Sequence, residues 1–289
     1  MKKNVLILLF LSIICMSMIS DKNAYLIFDK NGNLSKYENL LEAAKNADIV
    51  LFGELHTNPI CHWLEIELTK DLYKSSGKEI VLGAEMFEID NQLILNEYLS
   101  GRIKENNFEA EAKLWPNYKS DYKALINFAK KNKLNFIATN VPRRYASLVS
   151  RSGFDVLDSL ATEAKTLMCP LPIKYNAELN CYKDLLKSAA MGKDTAHINI
   201  NLPKAQALKD ATMVYSILKN YKKNQLFIHF NGTYHSEKFE SMVWYLKEMN
   251  PKLKILTIAS VEQEEIENLN IENLNKADFI LCIPESMDN

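Results

Sequence analysis

The sequence predicts an α/β fold: a single domain whose mainly parallel central sheet carries helices on both faces, with helical insertions. Three observations lead there. Apolar runs alternate with segments of helical spacing along most of the chain, the alternation that builds strand-helix-strand units. The centre of "DIVLFGE" is apolar without alternation, as expected of a strand covered on both faces. Ionisable or amide groups stand where several of these runs end, the edge at which open parallel sheets bind ligands.

The elements follow in order. "AYLIFDKNGNLSKY" reads as a strand and turn, with Asn-Gly as the turn signal. "YENLLEAAKNA" has helical spacing and leads into "DIVLFGE", the first buried strand. Pro59 sits near the start of a helix over "ICHWLEIELTKDLYKSS", and "EIVLGAEMF" is the next strand. "DNQLILNEYLSG" reads as a short helix capped by Asp90 and stopped by Gly101. Helical stretches around residues 106 to 114 and 119 to 132 precede the strand "LNFIATN" and a helix beginning at Pro142. Residues 153 to 200 read as helices joined by a proline-containing loop. A long helix around "KAQALKDATMVYSILKNY" then leads to the strand "NQLFIHFNG", the helix "EKFESMVWYLKEM" and the strand "KILTIAS". The tandem "IENLNIENLN" marks a solvated insertion before the last strand, "DFILCIPE".

A chain of 289 residues fits within one α/β domain, and 47% hydrophobic residues suffice for its core. Lys and Arg number 35 against 36 Asp and Glu, so no basic field is present to attract nucleic acid. Residues 1–20, "MKKNVLILLFLSIICMSMIS", differ from the rest: two lysines, then an apolar run from Val5 to Ile14, then Cys15. That is the outline of a secretory signal, too short for a permanent membrane span, and it predicts export of a domain over residues 21–289. Cys15 resembles the acylation site of a bacterial lipoprotein; Ser12 suits that signal and Ile14 does not, so a lipid anchor and a discarded leader both stand. Cys169 and Cys181 bracket a two-proline segment and form a candidate disulfide in an oxidising compartment, with buried free thiols as the other reading. The absence of C-x-x-C removes support for a cysteine-built zinc or iron-sulfur site.

The candidate site residues lie at the strand ends. Glu54 and His56 are two positions apart, so an extended chain points both to one side of the sheet, where a carboxylate can orient an imidazole, raise its pKa or share a metal. A capping role for Glu54 with His56 as a satisfied turn residue weighs equally. His62 and Glu65 lie at i and i+3 on one helix face, the spacing of a shared metal or of a surface pair. Glu85 follows Val81 and Leu82, so it should be partly buried and need a partner, Arg143 or a site histidine. Asn140, Arg143, Arg144 and Tyr145 open a helix whose first amides and guanidinium groups favour a carboxylate or phosphate on a ligand. Tyr145 stands out because two arginines precede it, and positive charge favours a phenolate, a hard ligand for ferric iron. Tyr118 and Tyr122 are the other tyrosines of interest. His235 follows Gly232 at the end of a strand, His229 sits inside that strand as a core residue, and His197 carries no role. No Gly-rich phosphate loop, Ser-centred nucleophile elbow or H-E-x-x-H occurs, so nucleotide binding and standard hydrolysis lose their usual support.

Taken in order, "FGELHTNP", "GAEMF", "WPNYKSDYKALINFA", "TNVPRRY", "QALKDATM" and "NGTYH" resemble the ChaN-like haem-binding proteins of bacterial iron uptake, within the Tiki, TraB and erythromycin-esterase superfamily. The resemblance spans most of the chain beyond the leader. It implies an exported, often lipid-anchored protein of the periplasm or outer membrane that binds ferric haem, works with a TonB-dependent outer-membrane receptor and pairs as a homodimer around two facing haems. Tyr145 would then take the iron, with Tyr118 or Tyr122 as alternatives, while Arg143, Arg144, His56, His62 or a lysine meets the propionates. Glu54, Glu85, Asn140 and His235 would frame the site. Enzymatic relatives use the corresponding elements for hydrolysis, which would make Glu54, His56, Glu85 and His235 a metal or acid-base cluster. A periplasmic adaptor without ligand is a third class.

Overall fold

The computed structural model describes residues 22–190 and 199–287. Residues 1–21, with Cys15, and His197 lie outside the described residues. Among the described residues no helix is long and apolar enough to cross a membrane.

The strands are β1 (Leu26–Asp29), β2 (Leu34–Ser35), β3 (Ile49–Glu54), β4 (Glu79–Glu88), β5 (Asn135–Asn140), β6 (Gln225–Gly232), β7 (Ile255–Gln263) and β8 (Phe279–Pro284). They form one sheet in the order β2-β1-β8-β7-β3-β6-β4-β5. Every neighbouring pair from β8 to β5 is parallel, and only the β1–β2 hairpin and its pairing with β8 are antiparallel. The mainly parallel sheet expected from the sequence is therefore present.

Helices cover both faces, which is why β3 is buried along its whole length. Leu and Ile at strand positions of period two divide between two cores. Val50 and Phe52 point into one core, packed by α1 (Tyr37–Asn46), α2 (Pro59–Ser75), α3 (Gln92–Leu99), α4 (Glu105–Glu111) and α5 (Lys123–Asn132). Ile49 and Leu51 point into the other, beneath α6 (Arg143–Ser152), α9 (Leu202–Asn220) and α10 (Met242–Met249). The short α7 (Thr162–Lys165) and α8 (Asn180–Ala190) lie in the segment that reads from sequence as helices joined by a loop. The exposed edge of β5 is blunted by one side chain: the Ala138 amide donates to Gln92 Oε1 at 2.7 Å and Gln92 Nε2 donates to the Phe136 carbonyl at 3.0 Å. Gln92 thus satisfies the edge much as another strand would.

One expectation is corrected and two are refined. Asp90 does not cap α3; its carboxylate instead bonds Arg144 at 2.6 Å and Lys113 at 3.1 Å. Of the two readings of Cys169 and Cys181, buried free thiols are what is found, and the two-proline segment carries them into different packing clusters. Burial pushes these thiols up to about 11 and about 12, so they behave as inert packing residues. The helix expected from residue 119 begins as a π-helical turn, Tyr118–Tyr122, before α5. Tyr118 and Tyr122, at i and i+4, share one face of this turn as they would in an α-helix, and both face the core, each only 2% exposed.

Candidate functional site

The carboxyl ends of β3, β4, β5 and β6 open into a cleft of about 850 Å³, within the range of cofactor pockets. Two layers of charge build its floor.

The first begins at Glu54, the last residue of β3 and fully buried. Its Oε1 accepts from His56 Nδ1 at 2.7 Å and from the Tyr122 hydroxyl at 2.7 Å. The acceptor fixes the tautomer: His56 carries its proton on Nδ1 and turns Nε2 away from Glu54. The His56 side chain remains 39% exposed, and its ring meets Trp115 edge-on at 4.9 Å. Burial depresses the imidazole pKa, but the hydrogen bond to Glu54 and the charge of Glu85 outweigh it and hold His56 above its ordinary value. Burial likewise opposes the Glu54 charge, and the His56 hydrogen bond wins, leaving its carboxyl below the usual range. Gly232 is required here: a Cβ at that position would lie 2.8 Å from His56 Nε2. The Gly-x-x-His element therefore serves the Glu-x-His element by giving its imidazole room.

The second layer centres on His235, which is buried and held at both ring nitrogens. Nδ1 lies 2.5 Å from Asp210 Oδ1 and Nε2 lies 3.1 Å from Glu85 Oε1. Glu85 also accepts the Gly232 amide at 2.9 Å, and Asp210 accepts the Tyr182 hydroxyl at 2.8 Å. Burial alone would depress the His235 pKa; the carboxylates of Glu85 and Asp210 reverse this and raise it to about 9. Glu85, despite its own burial, is held far below the carboxylate range by the His235 charge. The partner that Glu85 needed is thus His235, not Arg143. With both nitrogens committed, His235 is a fixed cation of the floor. His229 lies fully buried inside β6, and burial drives it down to about 4, so it is a neutral core residue.

The rim is made where β5 passes into α6. Asn140 ends β5 with a buried Oδ1 that has no hydrogen-bond partner, and Arg143 lines the cleft with an exposed guanidinium. The first helical amide is not open to a ligand: Arg143 N–H donates to Glu88 Oε1 at 3.0 Å. Arg144 is committed to Asp90 and lies 4.6 Å over the Tyr145 ring, outside the cleft. Tyr145 is half-buried, packs against the second core and is not among the residues that line the cleft. Tyr118 and Tyr122, the alternative ligands, are shut inside the first core. Burial, with the Glu54 charge added for Tyr122, raises both phenols well above their ordinary value.

His62 does not reach the cleft either. It lies behind Glu54 on α2, with Nδ1 3.1 Å from Glu65 Oε2 and 3.8 Å from Glu54 Oε2. Glu65, closed off from water and facing the Glu54 charge, is held well above the carboxylate range.

Three residues of the site carried no role in the sequence. Asp210 is the acid set among buried Ala207, Leu208, Ala211 and Met213 of α9, and an acid on an apolar helix face is the signal that could have found it. Lys209 lines the cleft beside it. Tyr234 is the tyrosine that lines the cleft among the described residues, but its hydroxyl donates to the Cys181 carbonyl at 2.6 Å and burial raises its pKa.

Comparison with known proteins yields four likenesses. The family described as haem-binding uptake, Tiki superfamily, ChaN, matches residues 40–246. The solved structure of cofacial haem binding to ChaN of Campylobacter jejuni is 18% identical and superposes with a TM-score of 0.68, covering 90% of this chain and 97% of that one. A Bacillus cereus protein of solved structure is 13% identical with a TM-score of 0.51, covering 89% and 93% of the two chains. At such identities the two structures speak for the fold. Among curated proteins, RETICULATA-RELATED 5, chloroplastic, of Arabidopsis thaliana is 28% identical over 118 residues, 39% of this chain and 16% of that protein. The chain thus spans a minor part of its plant relative.

Proposed function

This chain belongs to the haem-binding uptake family of the Tiki superfamily, and from that membership we propose that it binds ferric haem at the rim of the cleft, with Tyr145 as the iron ligand. The observation that carries the reading is the β5–α6 junction, where Asn140, Arg143 and Tyr145 come off one strand end. Tyr145 keeps exposed ring surface that the core-bound Tyr118 and Tyr122 lack. The residues suit the group: Arg143 and Lys209 offer two cations for two propionates, and Trp115, Val141 and Leu202 offer apolar contact to a porphyrin. When bound, haem supplies a ferric iron whose fifth ligand a phenolate satisfies. His56 Nε2 is the imidazole nitrogen left to meet a propionate or a water.

A planar cofactor held from a rim leaves one apolar face uncovered, so the reading extends to a homodimer that closes over paired haems. Export through the leader, a lipid anchor at Cys15 and supply by a TonB-dependent receptor belong to the same reading. Ferric haem titrated into the purified protein is expected to change its spectrum at a fixed stoichiometry, with sedimentation showing pairing at saturation. In Arg143→Ala/Lys209→Ala, Kd should rise about ten- to a hundredfold, the loss of one to two charge-assisted hydrogen bonds. An unchanged Kd would remove these cations from the site, and a monomer at saturating haem would remove the dimer.

One observation favours a second reading, hydrolysis: Glu54 orients His56 at 2.7 Å as a carboxylate orients a general base. That reading takes His56 as the base, since His235 has no free nitrogen. Turnover in an esterase and peptidase screen, abolished by His56→Ala, would favour it over carriage.

A further inference from the structure

We propose that Glu54, His62 and Glu65 form a buried site for one divalent transition-metal ion, separate from the cleft and behind its Glu54 wall. His62 Nε2 lies 3.1 Å from the His56 carbonyl oxygen, which can only accept, so Nε2 carries the hydrogen. In the neutral ring the other nitrogen, Nδ1, is then a bare lone pair.

That lone pair faces two carboxyl groups, Glu65 Oε2 at 3.1 Å and Glu54 Oε2 at 3.8 Å. A lone pair against carboxylate oxygens in a water-free corner is repulsive unless something positive lies among them. The remaining oxygens say the same. Glu54 Oε2 and Glu65 Oε1 are both buried without a hydrogen-bond partner, although the neighbouring Glu54 Oε1 is fully used by His56 and Tyr122. Each of the three residues offers one donor atom, and these atoms lie within 4.8 Å of one another. Tetrahedral donors about 2.0 Å from a metal stand about 3.3 Å apart, so small side-chain shifts close the set around an ion.

Charge and chemistry select the class of ion. Two carboxylates and a neutral imidazole carry two negative charges, which a dication cancels. Imidazole with carboxylate suits zinc, manganese or ferrous iron, and the absence of thiolate speaks against softer ions. The surroundings supply what metal-bound imidazoles need, a carbonyl on the far nitrogen and fixed neighbours for the carboxylate. The His56 carbonyl plays the first part, reinforced by Asn117 Nδ2 at 2.8 Å; Tyr122 plays the second. Asp121, with Oδ2 3.8 Å from His62 Nε2, stands on the outer side of the trio. Without metal, the proton that Glu65 retains fills the same place.

The test uses the full chain, stripped by chelator and dialysed against Zn²⁺ alone, with Co²⁺ as a spectroscopic stand-in. One zinc per chain and visible Co²⁺ bands are expected from the unaltered protein without haem, so the outcome is independent of the haem reading. Glu65→Gln keeps the shape and imitates the protonated acid; it should fold with an unchanged melting curve yet bind zinc at least tenfold more weakly. His62→Gln should weaken binding to a similar degree. No zinc bound by the unaltered protein, or undiminished binding by folded Glu65→Gln, would overturn the assignment. Zinc retained by Glu65→Gln and lost from His235→Gln would place the ion in the cleft and overturn it equally.

Discussion

Asp210→Ala is expected to cost about 3–5 kcal/mol of folding stability, the usual consequence of leaving a buried charge without its partner. Asp210 and His235 are both buried, their polar atoms 2.5 Å apart, and Tyr182 would lose its acceptor in the same substitution. Equilibrium denaturation measures the loss directly, and a variant as stable as the parent would show that the triad is not an ionic unit. Asp210→Asn, which keeps an acceptor of the same shape, should lose less.

The same triad sets a pH dependence. The folded pKa of His235 is raised from 6.5 to about 9, so the folded state binds the proton more tightly than the unfolded chain. Its contribution is fully present below about pH 6.5 and is lost as pH rises through about 9, with a size of about 3 kcal/mol. Glu85 reports the same attraction from the acid side: its contribution holds above its unfolded value of 4.5 and fades only well below it. Stability should therefore fall between about pH 6.5 and 9 in the parent and fall less steeply in Asp210→Ala.

How much of this was legible in the sequence follows from the range of the interactions. The strands were legible because a two-sided environment demands continuous apolar runs, and "DIVLFGE", "EIVLGAEMF" and "LNFIATN" reappear as β3, β4 and β5. The pairing of Glu54 with His56 was legible because both lie on one short extended segment. The partner of Glu85 was legible only as a type, since His235 comes from another strand end 3.1 Å away. Asp210 lies within "QALKDATM", where the sequence shows no role for it, because its meaning depends on His235 approaching across the sheet. The closure of Tyr118 and Tyr122 was hidden because their i, i+4 spacing shows that they share a helix face but not that this face turns to the core. Arg144 and the first amide of α6 looked available to a ligand; Asp90 and Glu88, from the far end of β4 and its following turn, already occupy them.

The haem reading has its largest expected effect at Tyr145. The residue sits on α6 two positions after Arg143, which lines the cleft, with Arg144 over its ring at 4.6 Å. Replacing the phenol by phenyl removes the proposed iron donor and leaves the packing against the second core intact, so folding should be unaffected while haem affinity falls about a hundredfold, or about 2.8 kcal/mol. Tyr118→Phe removes a hydroxyl that has no partner and should leave haem binding unchanged.

The most direct measurement is the absorption spectrum of the protein during titration with ferric haem, recorded for the parent and for Tyr145→Phe. A high-spin tyrosinate-type spectrum is expected in the parent and absent from the variant at the same haem concentration. A parent spectrum unchanged by haem would contradict haem binding, and the same tyrosinate spectrum in Tyr145→Phe would contradict the assignment of the ligand.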